Sequence, residues 1–160
     1  MKTYNYIFYN NNLADLIDYD IFTNEKNILI QIFCGHEENT LQFIADTLCS
    51  SLPQSICLGT TTDGEICESK ISTLKTIISI SVFKNTFLQA NLIEEEDSYK
   101  MGYKMAKSIV KNNTKLIITF TDGTGTNAEE YLKGIEKFDD TIMVCGGMAG
   151  DNGLFKKTHI

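Results

Sequence analysis

The run Ile142-Met143-Val144-Cys145-Gly146-Gly147-Met148-Ala149-Gly150-Asp151 constrains the fold more than any other stretch. Ile142–Cys145 reads as a buried strand. Three glycines within the next five residues open backbone conformations closed to residues with a Cβ, and an acid follows at Asp151. A buried strand that breaks into a glycine-rich, acid-bearing turn is how α/β proteins build ligand sites at the carboxyl edge of a sheet. Two earlier segments share the pattern: Cys57-Leu58-Gly59-Thr60-Thr61-Thr62-Asp63-Gly64-Glu65-Ile66 and Ile117-Ile118-Thr119-Phe120-Thr121-Asp122-Gly123.

The rest of the chain supplies alternating strands and helices. Residues 1–27 are polar and Asn-rich, with a weak strand at Tyr4–Tyr9 and an apolar cluster at Leu13–Ile17. Ile28–Phe33 reads as a buried strand. Leu41, Ile44, Ala45, Leu48, Cys49 and Leu52 then fall at helical spacing, and Pro53 closes that helix. Ser55–Leu58 is a second buried strand. Thr76–Phe83 and Phe87–Glu94 read as a β-hairpin about Lys84-Asn85-Thr86. Apolar or small residues at Tyr99, Gly102, Tyr103, Ala106, Ile109 and Val110 predict another helix, with Leu116–Phe120 a strand after it. Ala128, Tyr131, Leu132, Ile135 and Phe138 predict a last helix. The fold class expected is α/β, a mixed, partly parallel sheet with helices packed on its faces and a β-hairpin insertion. Phe155–Ile160 reads as the start of a further strand.

Composition narrows the partners. The 160 residues carry a net charge of −7, and all 14 basic residues are lysine. That balance disfavours nucleic acid, whose affinity rests on basic contacts to phosphate. Without arginine, an anionic ligand group must be met by Lys or by backbone N–H groups. The five cysteines, Cys34, Cys49, Cys57, Cys67 and Cys145, are odd in number and form no C-x-x-C pair. They read as reduced cysteines, mostly in apolar settings, without metal-ligand spacing. No apolar run reaches the ~20 residues of a membrane span, and the first residues lack the features of a signal peptide. The expected location is cytoplasmic, and no cofactor is expected.

If the strands at 28–33, 55–58, 116–120 and 142–145 are mutually parallel, their carboxyl ends share one rim. Loops Cys34–His36, Gly59–Glu65, Thr121–Thr126 and Gly146–Asp151 would meet there, holding nearly all the glycine-plus-acid clusters. The candidate ligand-binding residues are Thr61, Thr62, Asp63, Gly64, Glu65, Asp122, Gly123, Gly146, Gly147, Ala149, Gly150 and Asp151. A small zwitterion needs acceptors for its ammonium, which Asp63, Glu65, Asp122 and Asp151 could supply, and donors for its carboxylate, which loop N–H groups could supply. Thr126 and Glu129 match a capping box, so the loop before the last helix also reads as an ordinary helix start. Its glycines fit neither a Walker A loop nor a dinucleotide fingerprint. His36 and His159 stand far apart without metal spacing, and no residues form a nucleophile–base–orienter set.

Three blocks in order, Gly59-Thr60-Thr61-Thr62-Asp63-Gly64-Glu65-Ile66, Phe120-Thr121-Asp122-Gly123 and Cys145-Gly146-Gly147-Met148-Ala149-Gly150-Asp151, resemble the N-terminal part of FIST sensory domains. Thr60 stands where that family often has Cys or Ser. The resemblance covers 28–160, leaving 1–27 as an N-terminal extension, and implies a module that continues past residue 160. It implies a sensory input domain of a bacterial signal-transduction protein, binding a small molecule such as an amino acid and lacking catalysis of its own. The implied partners are a C-terminal FIST portion and a downstream output domain: GGDEF/EAL, chemoreceptor or histidine kinase. Two alternatives stay open from the residues alone. One is a small hydrolase or transferase using rim acids with a Thr or Cys nucleophile; the other is a structural or dimerisation module.

Overall fold

In the computed structural model, which describes residues 1–9 and 12–160, the chain forms two compact units. The first comprises Met1–Leu88 and Gly150–Ile160, the second Gln89–Ala149.

The first unit is built on a four-stranded sheet. Its strands are β1 (Lys2–Phe8), β2 (Ile28–Cys34), β3 (Ser55–Thr61) and β6 (Thr76–Val82), in the order β1-β6-β2-β3. β2 and β3 are parallel, whereas β6 runs antiparallel to both β1 and β2. A parallel pair needs a crossover connection, and α2 (Glu38–Ser51) provides it. Alternation along β2 sends Ile28, Ile30, Ile32 and Cys34 to one face, all with at most 1% exposure. Against them pack Leu41, Ile44 and Leu48 of α2, together with Leu13, Ile17 and Phe22 from the N-terminal segment. Each fully buried aliphatic side chain contributes about 1.5–3 kcal/mol. The weak strand expected at Tyr4–Tyr9 is the paired edge strand β1, and α1 (Leu13–Leu16) carries the expected apolar cluster into the core.

The hairpin lies elsewhere than the sequence predicts. Residues 87–94 form no strand, and Phe87 and Leu92 are exposed. The reason is that β6 already has partners on both edges, so no ladder is left for a following strand. The hairpin instead joins β4 (Glu65–Cys67) and β5 (Lys70–Ser72). Its turn residues Glu68 (φ 50°) and Ser69 (φ 62°) both adopt the left-handed conformation of a type I′ turn. Glycine or asparagine usually marks such a turn, and neither is present. Residues 155–160 likewise form no strand, although the Thr61 N–H donates to the His159 carbonyl at 3.0 Å.

The second unit contains α3 (Ser98–Ile109), β7 (Leu116–Thr121), α4 (Ala128–Phe138) and β8 (Met143–Met148). β7 and β8 pair in parallel, in a two-stranded sheet of their own. The expectation that 28–33, 55–58, 116–120 and 142–145 share one sheet is therefore corrected. Apolar periodicity marks each strand but carries no information on its partner.

Packing in this unit hinges on two glycines. A Cβ on Gly102 of α3 would overlap the Tyr131 carbonyl oxygen and lie 2.9 Å from its carbon. A Cβ on Gly134 of α4 would lie 2.8 Å from the Tyr103 nitrogen. The two helices thus touch backbone to backbone, and Ala106, Ile117, Tyr131 and Ile135 form the core beside that crossing. Among the described residues no helix is long and apolar enough to cross a membrane.

Candidate functional site

In the first unit, the carboxyl ends of the parallel strands β2 and β3 bring three loops together. The Thr62 N–H donates to the Cys34 carbonyl at 3.0 Å, tying the end of β3 to the end of β2. The Gly150 N–H donates to the Thr61 carbonyl at 2.8 Å, and the Gly153 N–H to Asp63 Oδ1 at 3.0 Å. The Asn152 amide donates to the Gly35 carbonyl at 3.1 Å. Thr61, Thr62, Asp63, Gly64, Glu65, Gly150 and Asp151 consequently occupy one cluster. Gly150 has to be glycine, because a Cβ there would lie 2.7 Å from the Asp63 nitrogen and from Asp63 Oδ1.

Glu65 is the central group of this cluster. Its residue is only 2% exposed. One carboxylate oxygen accepts from the Thr62 hydroxyl at 2.7 Å, and the other from the Lys75 N–H at 3.2 Å. A buried carboxylate needs such donors, since desolvating an unpaired one costs several kcal/mol. Gly35 makes room for it: a Cβ at that position would overlap Glu65 Oε1 and sit 2.8 Å from the Lys75 carbonyl oxygen. Beside the carboxylate lies a cavity of about 260 Å³ lined by Phe33, Gly64, Glu65, Ile66 and Ile77. An apolar chamber with one acid in its wall suits a small ligand with a cationic and an apolar part.

Asp151 is tied to the residues that follow it. Its carboxylate accepts from the N–H groups of Phe155 (2.9 Å), Lys156 (2.6 Å) and Lys157 (3.3 Å). Those backbone donors, Lys156 foremost, hold its pKa below the ordinary aspartate range. Asp151 thus closes its own loop.

The remaining candidates belong to the second unit. Asp122 accepts from the Thr124 N–H and hydroxyl, both at 2.9 Å, and from the Gly125 N–H at 2.9 Å, an Asx-type turn after β7 that includes Gly123. The helix cap falls one residue later than the sequence predicts. Asn127, not Thr126, caps α4 by accepting from the Glu130 N–H at 3.2 Å, while Thr126 is buried. Gly146 and Gly147, expected in a loop, lie within β8. Gly146 stands opposite Thr119 at φ 146°, and a Cβ there would overlap the Thr119 carbonyl oxygen. The turn begins only after Ala149, whose N–H donates to the Thr121 carbonyl at 2.8 Å.

Phe33, Ile77 and the Lys75 N–H escaped the sequence reading of the site, and Gly35, within the Cys34–His36 loop expected at the rim, was not among its candidate residues. Gly35, directly after a buried strand, was the one visible signal; the others become neighbours of Glu65 only through sheet pairing and the hairpin. Among the described residues no group of three or more His, Cys, Asp or Glu could hold a metal ion.

In open α/β sheets, the carboxyl ends of parallel strands are where ligand crevices form. The chain belongs to the FIST family: the FIST N domain matches residues 28–160. This is a family of sensory domains in signalling proteins. No curated protein and no solved structure gives a significant match.

Proposed function

We propose that the chain is a cytoplasmic small-molecule input domain of a bacterial signalling protein, with its ligand bound at the cluster around Glu65. The observation that supports this reading is the buried carboxylate in the wall of the 260 Å³ cavity. Its unused lone pairs suit an ammonium group, and Phe33, Ile66 and Ile77 suit a short apolar side chain. An amino acid has both features. Thr61, Thr62, Asp63, Gly64, Gly150 and Asp151 then act as the frame that fixes Glu65. Asp122, Gly123, Gly146, Gly147 and Ala149 shape the second unit. A further FIST portion and an output domain, of GGDEF/EAL, chemoreceptor or histidine kinase type, complete the proposed signalling protein.

The test is a thermal-shift and calorimetric screen of the amino acids and their decarboxylated amines. A ligand selective for the folded state adds about 2.7 kcal/mol at a hundredfold excess over Kd. Glu65→Gln should abolish the shift, while Asp122→Asn, in the second unit, should keep it. Binding that survives Glu65→Gln overturns the assignment. The 2.7 Å Thr62–Glu65 hydrogen bond is also the arrangement an enzymatic alternative would use as nucleophile and base. Turnover of ester or amide substrates that Thr62→Val removes would favour that second reading.

A further inference from the structure

The sequence reading treats the cysteines singly, but the first unit places two of them side by side. On α2, Leu41, Ala45 and Cys49 are spaced four apart and share one helical face. On β3, Cys57 and Gly59 are two apart and share one side of the strand. The two rows face one another: a Cβ on Gly59 would come within 2.7 Å of Leu41 Cδ1. All five residues line one cavity of about 290 Å³, on whose rim His159 also stands, 3.2 Å from Glu38. Cys49 is exposed and Cys57 half-buried, both as free thiols. Burial first, and then the nearby Cys49 thiol, pushes the Cys57 thiol up to about 12.

We propose that Cys49 and Cys57 are a reversible thiol–disulfide pair, a modification site oxidised by low-molecular-weight disulfides such as oxidised glutathione. Neither residue belongs to the Glu65 cluster, so the inference stands independently of the proposed ligand. Exposure makes Cys49 the entry point. Its thiolate attacks one sulfur of the small disulfide, the S–S bond breaks, and the released thiolate takes up the proton that Cys49 lost. Cys57 then loses its proton and attacks Cys49 Sγ. The mixed disulfide breaks, and the second small thiol leaves with that proton. Two protein thiols are oxidised and one small disulfide is reduced to two thiols. The high proton affinity of Cys57 makes the second step the slower one and raises its rate with pH. The product joins the end of α2 to the start of β3 across the Pro53 turn.

The experiment oxidises the folded chain with oxidised glutathione, quenches with acid, denatures, and counts thiols alongside intact mass and peptide mapping. The five thiols should fall to three, with mass lower by about 2 Da for the two lost hydrogens and the bridge mapped to Cys49–Cys57. Cys57→Ser should stop at a stable glutathione adduct on Cys49. Oxidation begun in urea should lose the preference for this pair. Five thiols persisting in the folded chain, a lasting adduct on wild-type Cys49, or a bridge to another cysteine would each overturn the proposal. Because wild-type chain alone gives the decisive result, the folding of a variant does not enter.

Discussion

Gly102→Ala sets two effects of known size against each other. Alanine in a helix interior is favoured over glycine by about 1 kcal/mol, so an isolated α3 would gain from the change. At the α3–α4 crossing, however, the new Cβ would lie 2.9 Å from the Tyr131 carbon and 3.2 Å from the Ile135 nitrogen, and would overlap the Tyr131 carbonyl oxygen. Carbon contacts are optimal near 3.5–4.0 Å, and a gap of roughly 0.5–1 Å forfeits a quarter to a half of each contact well. The obstacles are backbone atoms, so no side-chain rotation relieves the overlap and the helices must separate by about 1 Å. Overpacking of this kind costs about 1–3 kcal/mol, and an unyielding backbone puts the cost at the upper end. Subtracting the propensity gain leaves a net destabilisation of about 2 kcal/mol. Amide hydrogen exchange of α3 and α4 reads the second unit directly, and 2 kcal/mol corresponds to roughly thirtyfold faster opening. Lys107→Ala, on the exposed face of the same helix, serves as control and should stay within about 0.5 kcal/mol. Slower exchange in Gly102→Ala, or a change no larger than the control, would refute the backbone-contact argument.

Gly146→Ala should destabilise the β7–β8 pair by 1–3 kcal/mol or more, because alanine is strained at φ 146° and its Cβ meets Thr119; unchanged exchange of β7 amides would contradict this. Glu65→Gln should destabilise the first unit by about 1–3 kcal/mol in urea unfolding, since an amide cannot accept from both the Thr62 hydroxyl and the Lys75 N–H. Asp151 has a lowered folded pKa, so its stabilising contribution is present above the ordinary aspartate range and is lost as pH falls through the folded value. The Phe155 and Lys156 amide resonances should therefore shift on acidification below about pH 4, and Asp151→Asn should remove that transition.

The elements and the site differ in how they were legible. Ile28, Ile30 and Ile32 or the stripe Tyr131–Ile135 announce strand and helix because periodicity is a local property. The ordered blocks Gly59–Ile66, Phe120–Gly123 and Cys145–Asp151 likewise carried the family, with no knowledge of where they lie. Chain pairing is not local. Both edges of β6 are taken by β1 and β2, which leaves residues 87–94 without a ladder, and the type I′ turn at Glu68-Ser69 lacks the glycine that signals one.

Carboxylate roles were equally hidden, because a sequence shows an acid but not its donors. Asp151 and Asp122 accept hydrogen bonds from nearby N–H groups that turn their own loops, whereas Glu65 is held by its loop neighbour Thr62 and also enclosed by Gly35 and Lys75 from other stretches of chain. Contacts within a few residues can be read from spacing. Those between separately formed elements, including the approach of Cys49 on α2 to Cys57 on β3, exist only once conformational entropy has been offset by burial of the common core. The sequence by itself therefore determined the family of this protein and most of its longer strands and helices; tertiary structure alone decided which strands pair and where the hairpin forms, which acid is buried beside a cavity, and which thiols meet.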